Sequence, residues 1–178
     1  MIEDLGRPMV GDGCRAEPFD ERHREALKAA CAEDPDIWAI YASNFRREAF
    51  DKSIETYASD PKARVFVLFE GDELAGMSSF FAIDEKRGTL EIGGTYYHPK
   101  FRGTGFNRRV KAMMLERAFG CGFRRVEFKV DRRNARSQAA MRKLGAVREG
   151  VMRADRITWN GHVRDTVLFA ILKDEWPV

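Results

Sequence analysis

The spacing of apolar and polar residues divides the chain into short strands and a few helices. Val10 to Phe19 reads as a first strand, and Asp20 stands where its carboxylate can cap a helix running to about Cys31. Asp34 to Asn44, with Trp38 and Tyr41, reads as a short helix or loop, and a helix follows from about Arg46 to Ser59. Arg64 to Glu70, the turn Gly71-Asp72 and Glu73 to Ile83 predict a hairpin. Leu90 to Tyr97 is the next strand, Phe106 to Phe119 a helix stopped by Gly120 or Gly122, and Arg124 to Val130 another strand. A further helix ends at Leu144-Gly145, where glycine accepts the left-handed conformation of a helix end. Val147 to Arg153, Arg156 to Trp159, a tight Asn160-Gly161 turn and Val163 to Leu172 close the chain. Strands and helices mixed in this order predict an α/β fold with a sheet sandwiched by helices.

Composition narrows the class. With 178 residues and 44% hydrophobic content the chain can bury one substantial core, so residues 1–178 read as one domain. The longest apolar runs, such as Val65 to Phe69, fall far short of the roughly 20 residues that span a bilayer, and the acidic start Met1 to Asp4 is unlike a signal peptide. A soluble, cytoplasmic protein is expected. Cys14, Cys31 and Cys121 are odd in number and lack metal-ligand spacing, so neither a disulfide framework nor a metal site is indicated.

The net charge of +3 conceals an asymmetry: residues 1–99 carry 12 Lys and Arg against 20 Asp and Glu, whereas residues 100–153 carry 16 against 4. A block at +12 suits a phosphate-rich ligand, either nucleic acid or a phosphorylated coenzyme. Nucleic acid is disfavoured because Phe106, Phe119, Phe123 and Phe128 sit at core spacing and leave no stacking motif for bases. The basic block begins at Arg102-Gly103-Thr104-Gly105-Phe106-Asn107, between a strand and a helix. A glycine-relieved turn exposes consecutive N–H groups there, and the first helical turn adds free donors and the positive end of its dipole. The loop lacks the Gly-Lys-Ser/Thr of a Walker-type site, and Arg108 stands where a dinucleotide fingerprint needs glycine.

Downstream lie the strand to Val130, Asn134-Ala135-Arg136-Ser137 and a helix ending in Leu144-Gly145-Ala146. This order of parts resembles the GCN5-related N-acetyltransferase superfamily. Its Gln/Arg-x-x-Gly-x-Gly/Ala loop pattern is met at Arg102 and Gly105, and imperfectly at Asn107. Arg-Gly-Thr-Gly-x-Asn, Asn-x-x-Ser and Leu-Gly-Ala are most similar to the branch of ribosomal-protein N-terminal acetyltransferases. The resemblance runs from about Val10 to Trp176 and is specific from Leu90 onward. It implies a central mixed, mostly antiparallel sheet of six to seven strands flanked by helices, with a splayed cleft for acetyl-CoA and no metal. Arg102, Gly103, Thr104, Gly105, Phe106 and Asn107 would hold the pyrophosphate, while the Tyr97 backbone and Asn134 would meet the pantetheine arm.

Acetyl transfer to an amine needs a proton acceptor, a polarised carbonyl and a proton for the leaving thiolate. At pH 7.5 deprotonation costs an α-amine about 0.5 kcal/mol and a lysine amine about 4 kcal/mol, which favours a peptide N-terminus or weakly basic amine. Glu91, mid-strand where a carboxylate is unfavourable unless paired or facing a cleft, is the candidate base. A paired acid on a strand face is the alternative, and His98 before Pro99 reads as a surface turn residue. Relatives place a tyrosine acid where Met141 stands, so Ser137 is the substitute, because Ser137, Ala140, Met141 and Leu144 share one helical face. Ser137 also reads as a residue bonding backbone near the helix start, and Asn134 as its N-cap. Trp38, Tyr41, Phe45 and Phe80 are candidates to line an acceptor pocket, although aromatic residues at such spacing are more often core. The acidic first half suits a cationic amine or basic peptide. The doubly apolar strand Val163 to Leu172 suits either a buried strand or a homodimer contact.

Overall fold

A computed structural model describes residues 2–177. Its eight strands are β1 (Met9–Gly11), β2 (Cys14–Pro18), β3 (Arg64–Glu70), β4 (Glu73–Asp84), β5 (Thr89–Tyr97), β6 (Arg125–Asp131), β7 (Val147–Ile157) and β8 (Val163–Leu172). They form one sheet in the order β1-β2-β3-β4-β5-β6-β8-β7, antiparallel except for β5 and β6. The helices are α1 (Ile2–Leu5), α2 (Arg24–Ala32), α3 (Phe50–Ser59), α4 (Phe106–Gly120) and α5 (Ala135–Leu144).

Alternation along the strands loads both faces of this sheet. On β3, Phe66 and Leu68 join the core with Phe106, Val110, Met114 and Met141 of α4 and α5, while Val65 and Val67 join Leu27, Phe50 and Ile54 of α2 and α3. Two apolar layers therefore hold the sheet between helices, as the mixed order of elements predicts. β8 lies between β6 and β7, so both of its edges are paired within this sheet, and Val167, Phe169, Ala170 and Ile171 are buried on its two faces.

Several boundaries differ from the sequence reading. The expected strand Val10 to Phe19 is a hairpin, β1–β2, turning at Asp12-Gly13 with Gly11 opposite Cys14, which brings the strand count to eight rather than six or seven. The helix expected from Arg46 starts at Phe50. β7 runs unbroken to Ile157, with an irregular register between Met152 and Arg156, and the hairpin loop spans residues 158–162 rather than Asn160-Gly161 alone.

One feature of the sheet makes the cleft. β5 and β6 pair only at Thr89–Arg125, Leu90–Val126 and Glu91–Glu127. Beyond Glu91, the β4–β5 register slips between Met77 and Ser79, whereas β6 continues along β8 to Asp131. Gly94 permits the departure: its φ is +58°, and an added Cβ would lie 2.9 Å from both the Phe81 and Tyr57 rings.

Candidate functional site

The gap between the parted strands opens into a cavity of about 1190 Å³ that reaches from the α4 start to the β7–β8 hairpin. Its α4 end is the glycine loop. His98 caps a short turn over Pro99–Phe101 by accepting from the Lys100 N–H. Arg102 then anchors the loop: its Nε donates to the Tyr97 carbonyl at 2.8 Å and one terminal nitrogen pairs with Asp34. The other terminal nitrogen is buried without a hydrogen-bond partner among the described residues. Gly105, at φ +85°, is the N-cap of α4 and supplies no side-chain cap, and a Cβ at Gly103 or Gly105 would meet nothing within 4 Å. The Phe106 N–H reaches Thr104 Oγ1 at 3.4 Å and the Arg108 N–H the Gly105 carbonyl at 3.0 Å, so the open donors facing this unfilled space are those of Gly105 and Asn107, an arrangement that suits an anion.

The other loop residues divide between lining and bracing. Asn107 lines the cavity, and its Oδ1 accepts from the Tyr97 hydroxyl at 2.8 Å. Burial pushes that tyrosine hydroxyl well above its ordinary pKa, so it stays a donor. Thr104 and Phe106 are absent from the cavity wall. The Thr104 hydroxyl donates to the Phe101 carbonyl at 2.9 Å, and the Phe106 ring is wholly buried against Tyr97 and Phe101, so their side chains stiffen the loop.

The middle of the cavity holds the ionisable groups. The Glu91 side chain is 12% exposed, lines the space and lies 3.1 Å from the Lys129 ammonium on the neighbouring strand. The two readings of Glu91, cleft carboxylate and paired strand acid, describe it at once. Lys111 of α4 was not anticipated. Its ammonium donates to Thr95 Oγ1 at 2.6 Å and approaches Ser78 Oγ at 3.4 Å, while those two hydroxyls bond each other at 2.7 Å. Burial pushes this lysine down to about 7, partly opposed by the charge of Glu91.

On α5, Asn134 Oδ1 accepts from the Ser137 N–H at 2.9 Å and so caps the helix. Ser137, Ala140, Met141 and Leu144 all face the cavity, as their spacing predicts, and the Ser137 hydroxyl makes no hydrogen bond among the described residues. It is thus available to a ligand rather than spent on backbone.

At the far end, Tyr41 lines the cavity with its hydroxyl on the Thr95 carbonyl at 2.6 Å. Trp38 and Phe80, expected beside it, do not. Trp38 is fully buried, stacked on Tyr96 with its indole N–H on the Cys31 carbonyl, and Phe45 is core as well. Phe80 is fully buried edge-on to Phe66, and it is the next residue, Phe81, that reaches the cavity beside Tyr57. Alternation along β4 leaves open which aromatic faces which side, because both faces of that strand are buried. Arg156 and Arg164 of the β7–β8 hairpin complete this end. Nothing local in the sequence marks them as cavity residues: Arg156 pairs with its neighbour Asp155, and Arg164 bonds Thr166 on its own strand and the Lys129 carbonyl of β6. Among the described residues no cluster of His, Cys, Asp or Glu has the makings of a metal site, and no helix is long and apolar enough to cross a membrane.

Comparison with known proteins agrees with this architecture. The profile of the acetyltransferase (GNAT) domain matches residues 15–147. A probable GNAT-family acetyltransferase of Chromobacterium violaceum superposes with a TM-score of 0.89 at 27% identity, over 96% of this chain and 88% of that one. A putative acetyltransferase from T. thermophilus gives 0.87 at 34% identity, over 96% and 91%. The spermidine N-acetyltransferase of Vibrio cholerae, solved in complex with CoA and spermine, shares the fold at 0.76 and 16% identity, over 92% and 97%. No curated protein sequence matches the chain.

Proposed function

The chain belongs to the GNAT acetyltransferase family, and on that premise we propose that it moves an acetyl group from acetyl-CoA to a primary amine by direct attack. The observation that carries this reading is that the open α4 N-terminus and Glu91 flank one cavity, at the place where β5 and β6 part. The residues fit the coenzyme: Arg102 has a buried, unpartnered nitrogen, and Gly103 and Gly105 leave room for phosphate oxygens against backbone N–H groups. When bound, acetyl-CoA supplies the thioester that donates the acetyl group.

Glu91 takes the proton from the acceptor ammonium, directly or through one water, with the Lys129 ammonium 3.1 Å from its carboxylate. Ser137, with its free hydroxyl, returns a proton to the departing sulfur. Met141, buried where relatives carry a tyrosine, supports a second reading in which the protein binds acyl-CoA without turnover.

Calorimetry with acetyl-CoA and desulfo-CoA, followed by thiol release with a panel of amines, tests both readings. Glu91→Gln is expected to lower turnover about 10²- to 10⁴-fold, the usual worth of a general base, with coenzyme affinity unchanged. Ser137→Ala should lower turnover more modestly. Tight coenzyme binding without thiol release from any amine would favour the binding module, and no coenzyme binding would remove both.

A further inference from the structure

We infer that the acceptor amine carries an anionic group, a carboxylate or a phosphate, which docks on Arg164 with Arg156 at the hairpin end of the cavity. This rests on the reading of the cavity as an N-acetyltransferase site and names its substrate class.

Arg164 is only 5% exposed yet lines the cavity. Its Nε donates to Thr166 Oγ1 and one terminal nitrogen to the Lys129 carbonyl, each at 2.9 Å, and no carboxylate of the described residues lies within 4.0 Å of it. The acids around it are committed elsewhere. Asp155 binds Arg156 at 2.9 Å and the Thr166 hydroxyl at 2.8 Å, Asp131 binds Arg133 at 2.8 Å, and Glu91 faces Lys129 at 3.1 Å. Each of these carboxylates thus has its own cation, and Arg164 is left over. A guanidinium held nine-tenths out of water with no carboxylate in contact is costly, and burial together with the Arg156 charge pushes its pKa down, only partly opposed by the more distant charges of Asp131, Asp155 and Glu91. An incoming anion relieves that cost, and the planar fork suits the paired oxygens of a carboxylate or phosphate. A polyamine meets the opposite field.

The placement also bounds the acceptor. Strand alternation puts Lys129, Asp131 and Thr166 on the sheet face that carries Glu91. The Arg164 guanidinium reaches the level of Lys129, two residues along β6 from Glu127, the partner of Glu91. At about 3.3 Å per residue, the anion lies about 7 Å along the sheet from the base, which suits a compact acceptor with amine and anion a few bonds apart.

The test uses saturation-transfer NMR and thiol release on the full chain, loaded with desulfo-CoA for binding and acetyl-CoA for turnover. The probes are glycylglycine, phosphoethanolamine, glycylglycinamide and spermidine. At least tenfold preference for the two anionic amines is expected, and whichever of them prevails identifies carboxylate or phosphate as the source. Arg164→Gln should erase the preference, Arg164→Lys retain part of it, and the more exposed Arg156→Gln reduce it. Desulfo-CoA affinity within twofold of wild type reports that each variant is folded. Equal or better binding of glycylglycinamide or spermidine, or an anion preference that survives both glutamine variants, overturns the inference. Anion preference without thiol release would support the docking site while removing the transfer reaction.

Discussion

Lys111 occupies a place that disfavours an ammonium, and its chemistry should be visible in stability. Two neutral hydroxyls solvate it, and burial lowers its pKa from 10.5 to about 7. The unfolded chain therefore binds the proton more tightly than the native one between pH 7 and 10.5, so this residue's contribution to stability rises with pH across that window. Below pH 7 the whole penalty is present. Lys111→Met removes it, and Ser78 and Thr95 keep each other as partners at 2.7 Å. Replacing a buried ion pair by apolar residues of similar volume is often stabilising, by about 1–4 kcal/mol, and a lone buried ammonium lacks even the pair's attraction. The melting temperature of Lys111→Met is expected to exceed wild type by several degrees at pH 6.5, with the difference shrinking toward pH 10; differential scanning calorimetry across pH reads it. The sequence hid this residue because a lysine in a basic helix reads as solvated, and only the docking of α4 on the sheet shows that it points inward.

At the level of elements, the parting of β5 from β6 decides whether there is a site. Gly94 is the weak point of that geometry: a side chain there combines a left-handed φ of +58° with contacts of 2.9 Å to the Phe81 and Tyr57 rings. Gly94→Val should destabilise the protein by about 2–4 kcal/mol, from backbone strain and overpacking together. It should also weaken desulfo-CoA binding, because relief requires β5 or the two rings to move into the cavity. Denaturant unfolding and calorimetry check the two effects. Much of this level was legible. The glycine loop, α4, β6 and α5 stand within a residue or two of where periodicity and helix stops put them. Asp12-Gly13 is a strong hairpin signal, but β1 is three residues long, too short to show its own alternation, so the hairpin reads as one strand. No capping side chain marks the start of α3, where Ala49 stands at the N-cap, so spacing alone does not fix it. The pairing of Glu91 with Lys129 and the surplus charge of Arg164 are relations between strands, which one-dimensional spacing does not carry.

Across the whole molecule, the charge asymmetry of the sequence is partly spent on holding the chain together. Lys100, Arg102, Arg109 and Lys129 of the basic block pair with Glu73, Asp34, Glu70 and Glu91 of the acidic first half. The cavity is closed by a second long-range junction, between the β7–β8 loop and the segment before α3. The Trp159 indole N–H donates to the Trp38 carbonyl at 2.7 Å across 121 residues of sequence, and its backbone N–H donates to the Ala42 carbonyl at 3.2 Å. Arg46 lies 5.1 Å above the indole ring. One side of this junction supplies Tyr41 to the cavity and the other supplies Arg156 and Arg164, while the glycine loop belongs to neither. Trp159→Ala should therefore loosen the acceptor end and spare the coenzyme end. Because Trp159 is 38% exposed, the stability loss should stay below the about 3–5 kcal/mol typical of core Trp→Ala. With any amine that the wild type acetylates, KM for the amine should rise about tenfold while the Kd for desulfo-CoA stays within twofold. Steady-state kinetics beside calorimetry separates the two constants. Parallel losses in both would mean that the hairpin supports the cavity as one unit, and that its two ends are not independently built.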